Sequence, residues 1–150
     1  MSNSYDIYQS FKDIFFTLED GDRAIFRSFG MNPTRFYALY HLKNNPGISL
    51  RRLSELMLFN KSSVTRLILG MQDEGLIIRE DHQTDRRASR LYLTDEGQSL
   101  IESVMAQHGA YNEHRFSQLS EDKQEQLLSL MVEAREILQS ELRLAEAVGD

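Results

Sequence analysis

Cysteine is absent from this 150-residue chain, and proline occurs only twice. Without thiols, disulfides, a thiolate zinc site and thiol-based redox sensing are all excluded. The N-terminal stretch MSNSYDIYQSFKD has neither a basic leader nor a long apolar run, so no export signal or membrane span is expected. The sequence offers no phosphate-cradling glycine loop, no nucleophile with a recognisable base and no acid cluster at metal-ligand spacing. Enzyme chemistry is therefore set aside. A soluble, cytoplasmic protein without a cofactor is the expected class.

Hydrophobic residues at 41% and charged residues at 27% lie in the ordinary soluble range, and the length suffices to bury a core. The net charge of −6 is unevenly spread. Between Ser49 and Leu93, eight basic residues outnumber six acids, leaving +2 there and −8 elsewhere. Segments Asn60–Gln72 and Arg86–Thr94 contain no acid at all. A basic face on an acidic protein points to a confined anionic partner.

Both prolines mark helix boundaries. Asn32-Pro33 reads as an N-cap followed by proline at the first helical position, opening a helix with Phe36, Leu39 and Tyr40 inward. Pro46-Gly47 ends it. Before it, Tyr5 to about Arg27 is expected to be helical, with Tyr8, Phe11, Phe15 and Leu18 spaced along one buried face. Ser49 caps a third helix through Leu58, and Asn60 caps a fourth that Gly75 terminates. Two short apolar runs, Leu76–Ile78 and Leu91–Leu93, then flank a polar tip and read as a β-wing. Thr94-Asp95-Glu96 and Ser120-Glu121-Asp122 open two long helices with acids where the helix dipole favours them.

The order helix, helix, strand, wing, strand is that of a module that reads DNA. In the fourth helix Val64, Leu67, Ile68 and Met71 form the i, i+3, i+4, i+7 stripe that faces a core. This turns Lys61, Ser62, Ser63, Thr65 and Arg66 outward. Small hydroxyls allow close approach to a groove, and arginine bridges guanine O6 and N7. At the wing tip, Arg86, Arg87 and Arg90 suit a narrow minor groove, while Asp85 pairs across the turn in a structural role. Arg51 and Arg52 are further candidates for phosphate contact, or equally a solvated face.

With these residues in place the chain resembles the MarR family of winged helix-turn-helix transcription regulators. The matching residues are Pro46-Gly47 with Ser49 and Leu53, then Ser62-Ser63-Val64-Thr65-Arg66-Leu67. Glu74-Gly75-Leu76-Ile77 with Arg79, Asp85-Arg86-Arg87, Leu93-Thr94 and Gly97 follow. The resemblance implies a mainly α fold with a small β-wing and N- and C-terminal dimerisation helices. It implies a homodimer on palindromic double-stranded DNA, usually a repressor released by a small ligand. The single domain would then read DNA with residues 32–94 and dimerise through 1–30 and 95–150. Apolar positions along the terminal helices, among them Leu100, Ile101, Val104, Leu127, Leu130, Met131, Ile137 and Leu138, independently favour a dimer. The chain departs from the family pattern at Ser54, at Leu58-Phe59 where glycine is common, and at Leu69-Gly70 where an acidic-then-basic pair is common.

The resemblance also implies a pocket between the first, second and fifth helices, for which Phe15, Phe16, Tyr37, Tyr40 and His41 are candidates. His108 and His114 are six apart, a poor spacing for two ligands on one helix face, so the histidines read as surface groups rather than a metal site. The rival to DNA binding is a winged helix that docks another regulator, for which the acidic remainder and Gly70 leave room. Replacing Arg87 by alanine is expected to weaken DNA binding and to change the preference for A·T-rich flanks in competition assays. Unchanged affinity at physiological salt would contradict the role given to the wing.

Overall fold

The computed structural model describes residues 3–80 and 89–148, with side chains to 145. Their order is α1 (Ser4–Ser28), α2 (Pro33–Asn44), β1 (Ile48–Ser49), α3 (Leu50–Met57), α4 (Lys61–Asp73), β2 (Ile77–Glu80), β3 (Arg90–Leu93), α5 (Asp95–Phe116) and α6 (Glu121–Val148). Contacts divide the chain into two units, residues 1–108 and 109–150.

Polar caps start the helices where the sequence placed them. Asn32, Ser49 and Asn60 each accept a bond from the amide three residues on, satisfying a donor the helix start leaves unpaired. Asn3 and Asp6 form a reciprocal capping box on α1. Gly75, in the left-handed conformation at φ 75°, ends α4 and lets the chain turn into the sheet.

The antiparallel sheet has the order β1-β3-β2, with Ile77 opposite Leu93 and Ile48 opposite Leu91. The strand β1 was not expected: it is two residues long, and its Ser49 also caps α3. In β2 Ile77 is buried and Ile78, Arg79 and Glu80 are exposed, so the strand is covered only at its start.

The first unit is built around Phe26, Leu39, Leu42, Leu53, Val64, Met71, Leu91, Ile101 and Val104, all fully buried. Phe26 of α1 stacks on Phe36 of α2 with ring centres 4.5 Å apart. Ser54 is buried but satisfied, its hydroxyl donating to the Leu50 carbonyl at 2.9 Å. Arg35 grips Glu74 with both terminal guanidinium nitrogens, Nη1 to Oε1 at 2.8 Å, tying α2 to the end of α4. That partner holds the Glu74 carboxyl below its ordinary range. Lys43 reaches Glu102 at 2.8 Å and ties α2 to α5.

Three expectations are corrected here. Tyr8 and Phe15 are more than half exposed, not buried, and Ile7, Ile14 and Phe16 of α1 are exposed beside them. Regular 3–4 spacing identifies a face in need of cover without saying whether the cover lies in the same chain. Tyr40 is likewise at the surface rather than inward, lying near the Phe36 ring at 6.0 Å. His108 is not a free surface group: its Nε2 lies 3.1 Å from Oδ1 of buried Asp22, and its ring rests near Phe26 and Phe36.

The second unit contains the end of α5 and all of α6. Gln124 donates to the carbonyls of Phe116 and Leu119 and so closes the C-terminus of α5. Arg115 lies over the Tyr111 ring at 4.0 Å. On α6, Leu128, Leu130, Ile137 and Leu138 are more than half exposed.

One junction fixes the start of α5 against the sheet. Thr94 donates its hydroxyl to the Gly75 carbonyl at 2.6 Å, accepts from the Gly97 amide at 3.0 Å, and donates its own amide to the Leu76 carbonyl at 3.1 Å. Gly97 packs so closely that a Cβ there would stand 2.1 Å from the Leu76 carbonyl oxygen. Gly97→Ala is expected to destabilise the protein by about 3 kcal/mol, the upper end for overpacking, because a backbone carbonyl cannot yield as a side chain can. Urea unfolding checks this; a loss under about 0.5 kcal/mol, the range of neutral surface changes, would contradict it.

Candidate nucleic-acid interface

Helix α4 presents its two faces as the spacing requires. Val64, Ile68 and Met71 are buried and Leu67 is half-buried, while Lys61, Ser62 and Arg66 are exposed and Ser63 and Thr65 half-buried. Within the described residues neither Lys61 nor Arg66 has an ion-pair partner, so two uncompensated cations mark the first turns of the helix.

The hydroxyls are less free than the sequence implied. Ser62 donates to the Asn60 side chain at 2.7 Å, and Thr65 donates back to the Lys61 carbonyl at 2.7 Å. Held this way, both hydroxyls offer lone pairs outward, which suit the amino groups of adenine or cytosine better than phosphate. Phosphate would be met by Lys61, Arg66 and the amides at the helix start that lack intrahelical acceptors.

Other expected contacts fall differently. Arg51 and Arg52 both bond Glu55, at 3.0 and 3.1 Å, and together hold its carboxyl below the ordinary range. The three side chains therefore carry one net positive charge. Arg90 opens β3 and donates Nη1 to the Gly47 carbonyl at 3.0 Å, anchoring the strand as well as adding charge. Arg86, Arg87 and the structural Asp85 lie outside the described residues.

The turn before α4 holds a leucine in a conformation that favours glycine. Leu58 sits at φ 55°, ψ 32°, with its side chain 85% exposed. Its amide closes α3 through Ser54 and Glu55. Gly70 is the reverse case, a glycine inside α4 with open space where a Cβ would lie.

A cavity of about 270 Å³ opens beside this turn. Tyr37 and His41 line it, with Glu19 of α1, Met57 of α3 and Phe59 of the turn. The helix α5 takes no part in lining this cavity, and Phe15 packs edge-on against Phe16 at the surface. Phe59 and Met57 were missed as cavity residues; the signal present was the bulky Leu58-Phe59 pair where glycine is common. Burial holds His41 below its ordinary range, and burial with the charges of Asp22 and Glu19 raises Tyr37. Among the described residues no group of three or more histidine or acidic side chains can hold a metal ion.

Two helices in tandem, an exposed capped helix start and a flanking antiparallel sheet define a winged helix-turn-helix protein. The model of the MarR family matches residues 29–88. The chain is 26% identical over 134 residues to the HTH-type transcriptional regulator YkoM of Bacillus subtilis, covering 89% of this chain and 87% of that protein. It is 31% identical over 94 residues to the HTH-type transcriptional repressor MdtR of the same organism, covering 63% and 61%. A crystallised Staphylococcus aureus MarR in complex with salicylate and kanamycin superposes with a TM-score of 0.84 at 19% identity, covering 91% and 93%. The chain is thus similar to MarR-family transcriptional regulators in the sequence of its helix-turn-helix and in fold along most of its length.

Leu58→Gly is expected to raise stability by about 0.5–1 kcal/mol, left-handed strain relieved less the added freedom of glycine when unfolded. Gly70→Ala should raise it by about 1 kcal/mol. The two effects should add in urea unfolding; destabilisation by either change would contradict the backbone assignment at that position.

Proposed function

We propose that this chain is a homodimeric repressor that reads a palindromic operator and releases it when a small ligand binds. Residues 32–94 would contact DNA, with 1–30 and 95–150 forming the dimer. The observation that carries the reading is the first turns of α4, where Lys61 and Arg66 are exposed and, among the described residues, unpaired within an acid-free segment. Ser62, Ser63 and Thr65 stand between them to read base edges, and Arg86, Arg87 and Arg90 supply the wing contact.

The exposed apolar faces of α1 and α6 support the dimer: isolated chains rarely leave this much leucine, isoleucine and aromatic surface in water. A two-fold dimer places its half-sites about one helical turn, roughly 10 bp, apart. Repression is favoured by the likeness to MdtR, named a repressor, and ligand release by the salicylate in the S. aureus neighbour. The place of action is the cytoplasm, with the DNA; no described helix is long and apolar enough to cross a membrane.

Arg66→Ala should cost about 1–3 kcal/mol at one base position and relax the preference there, if the contact is bidentate. Binding measured across single-base operator variants checks this, and an equal loss on every sequence would make Arg66 a phosphate contact. Affinity should also fall steeply with salt. Salt-insensitive capture of another regulator, with no DNA bound, would overturn the DNA reading in favour of a docking module.

A further inference from the structure

The geometry points to a cationic aromatic ligand, one ring carrying a protonated or quaternary amine, in the cavity between α1, α2 and the α3–α4 turn. This rests on the ligand-release reading above and adds the chemical class of the effector.

The size comes first. About 270 Å³ lies just below the usual range of small-molecule pockets, about 300–1,000 Å³, and accommodates one ring with a short substituent. Tyr37, His41 and Phe59 supply aromatic walls and Met57 a polarizable thioether.

Charge decides the class. Glu19 lines the cavity, and among the described residues neither lysine nor arginine does. The arginine that reaches Glu19, Arg23, stands at 3.2 Å and is shared with Asp20 at 3.8 Å. Residues 19–23 of α1 hold three acids and one base, so this turn of the helix beside the cavity is acidic on balance. His41 adds no opposing charge at neutral pH, because burial disfavours its protonated form. The carboxylates that resist ionisation of the Tyr37 phenol would equally stabilise a nearby cation. Aromatic walls add cation–π attraction. An aromatic carboxylate would meet Glu19 with no lining cation to answer it, and an unpaired buried charge is strongly disfavoured.

The position supplies a route to DNA. Met57 and Phe59 flank Leu58, the residue held in a left-handed conformation, and Phe59 precedes Asn60, the cap of α4. A ligand seated against Phe59 acts on the turn that aims Lys61 to Arg66. It weakens DNA binding to the extent that it prefers the turn geometry unsuited to DNA.

The test is isothermal titration calorimetry on the full chain with benzyltrimethylammonium chloride, against sodium salicylate and non-aromatic tetramethylammonium chloride. The aromatic cation should bind once per chain, at least tenfold tighter than either control. Glu19→Gln should erase that preference, and His41→Lys should reverse it in favour of salicylate, with urea unfolding showing both variants folded. Tighter binding of salicylate to the wild-type chain would overturn the charge assignment while leaving the ligand-release reading intact. Binding of the cation unaltered by either variant would place it elsewhere and overturn the site. No binding of either aromatic would overturn both readings. In matched salt, the cation should lower affinity for operator DNA at least tenfold. Saturation of the cavity without that loss would uphold the ligand class and contradict release.

Discussion

The architecture turns on the contact between Thr94, Gly97 and the backbone at Gly75-Leu76. There the end of α4, the end of β3 and the start of α5 meet through three hydrogen bonds made by Thr94. Glycine at 97 lets the helix start lie directly on the Leu76 carbonyl. Everything that would present α4 to DNA is referred to this joint, because α4 ends one side of it and α5 leaves from the other. The ties from α2 support it at either end, Arg35 on Glu74 and Lys43 on Glu102.

Electrostatics then separates two faces of one acidic protein. Among the described residues the cations at the start of α4 have no ion-pair partner, whereas those of α3 are shared with Glu55. Near the cavity the balance reverses, with carboxylates outnumbering arginine along α1. On the proposed readings a polyanion and a small cation would be addressed by the same chain without competing for a site, with the α3–α4 turn between them.

Much of this was legible in the sequence wherever a local rule acted alone. Asn32, Ser49 and Asn60 announced their helices because a side-chain acceptor is needed at a helix start, and Val64, Ile68 and Met71 fell inward by periodicity. Where two chemistries share one residue, legibility failed. Ser49 is both strand and cap, which hid β1. Arg90 is both wing cation and backbone anchor. Tyr8 and Phe15 carry the spacing of a core face, yet they lie exposed, and spacing alone does not say where the cover comes from. Asp22 and His108 are 86 residues apart, and no local rule brings them together. The cavity depends on where the Leu58-Phe59 turn lies against α2, a tertiary outcome that the substitution for glycine hinted at without locating.

The central claim, that an exposed basic helix start on a dimeric frame reads specific DNA, is tested most directly by selecting random genomic fragments with the purified protein. Selection should be run at near-physiological salt, on protein stripped of any co-purified ligand by unfolding and refolding. The account predicts enrichment of one palindromic motif with half-sites about one helical turn apart. Absence of enrichment from protein shown to be folded and dimeric would contradict it.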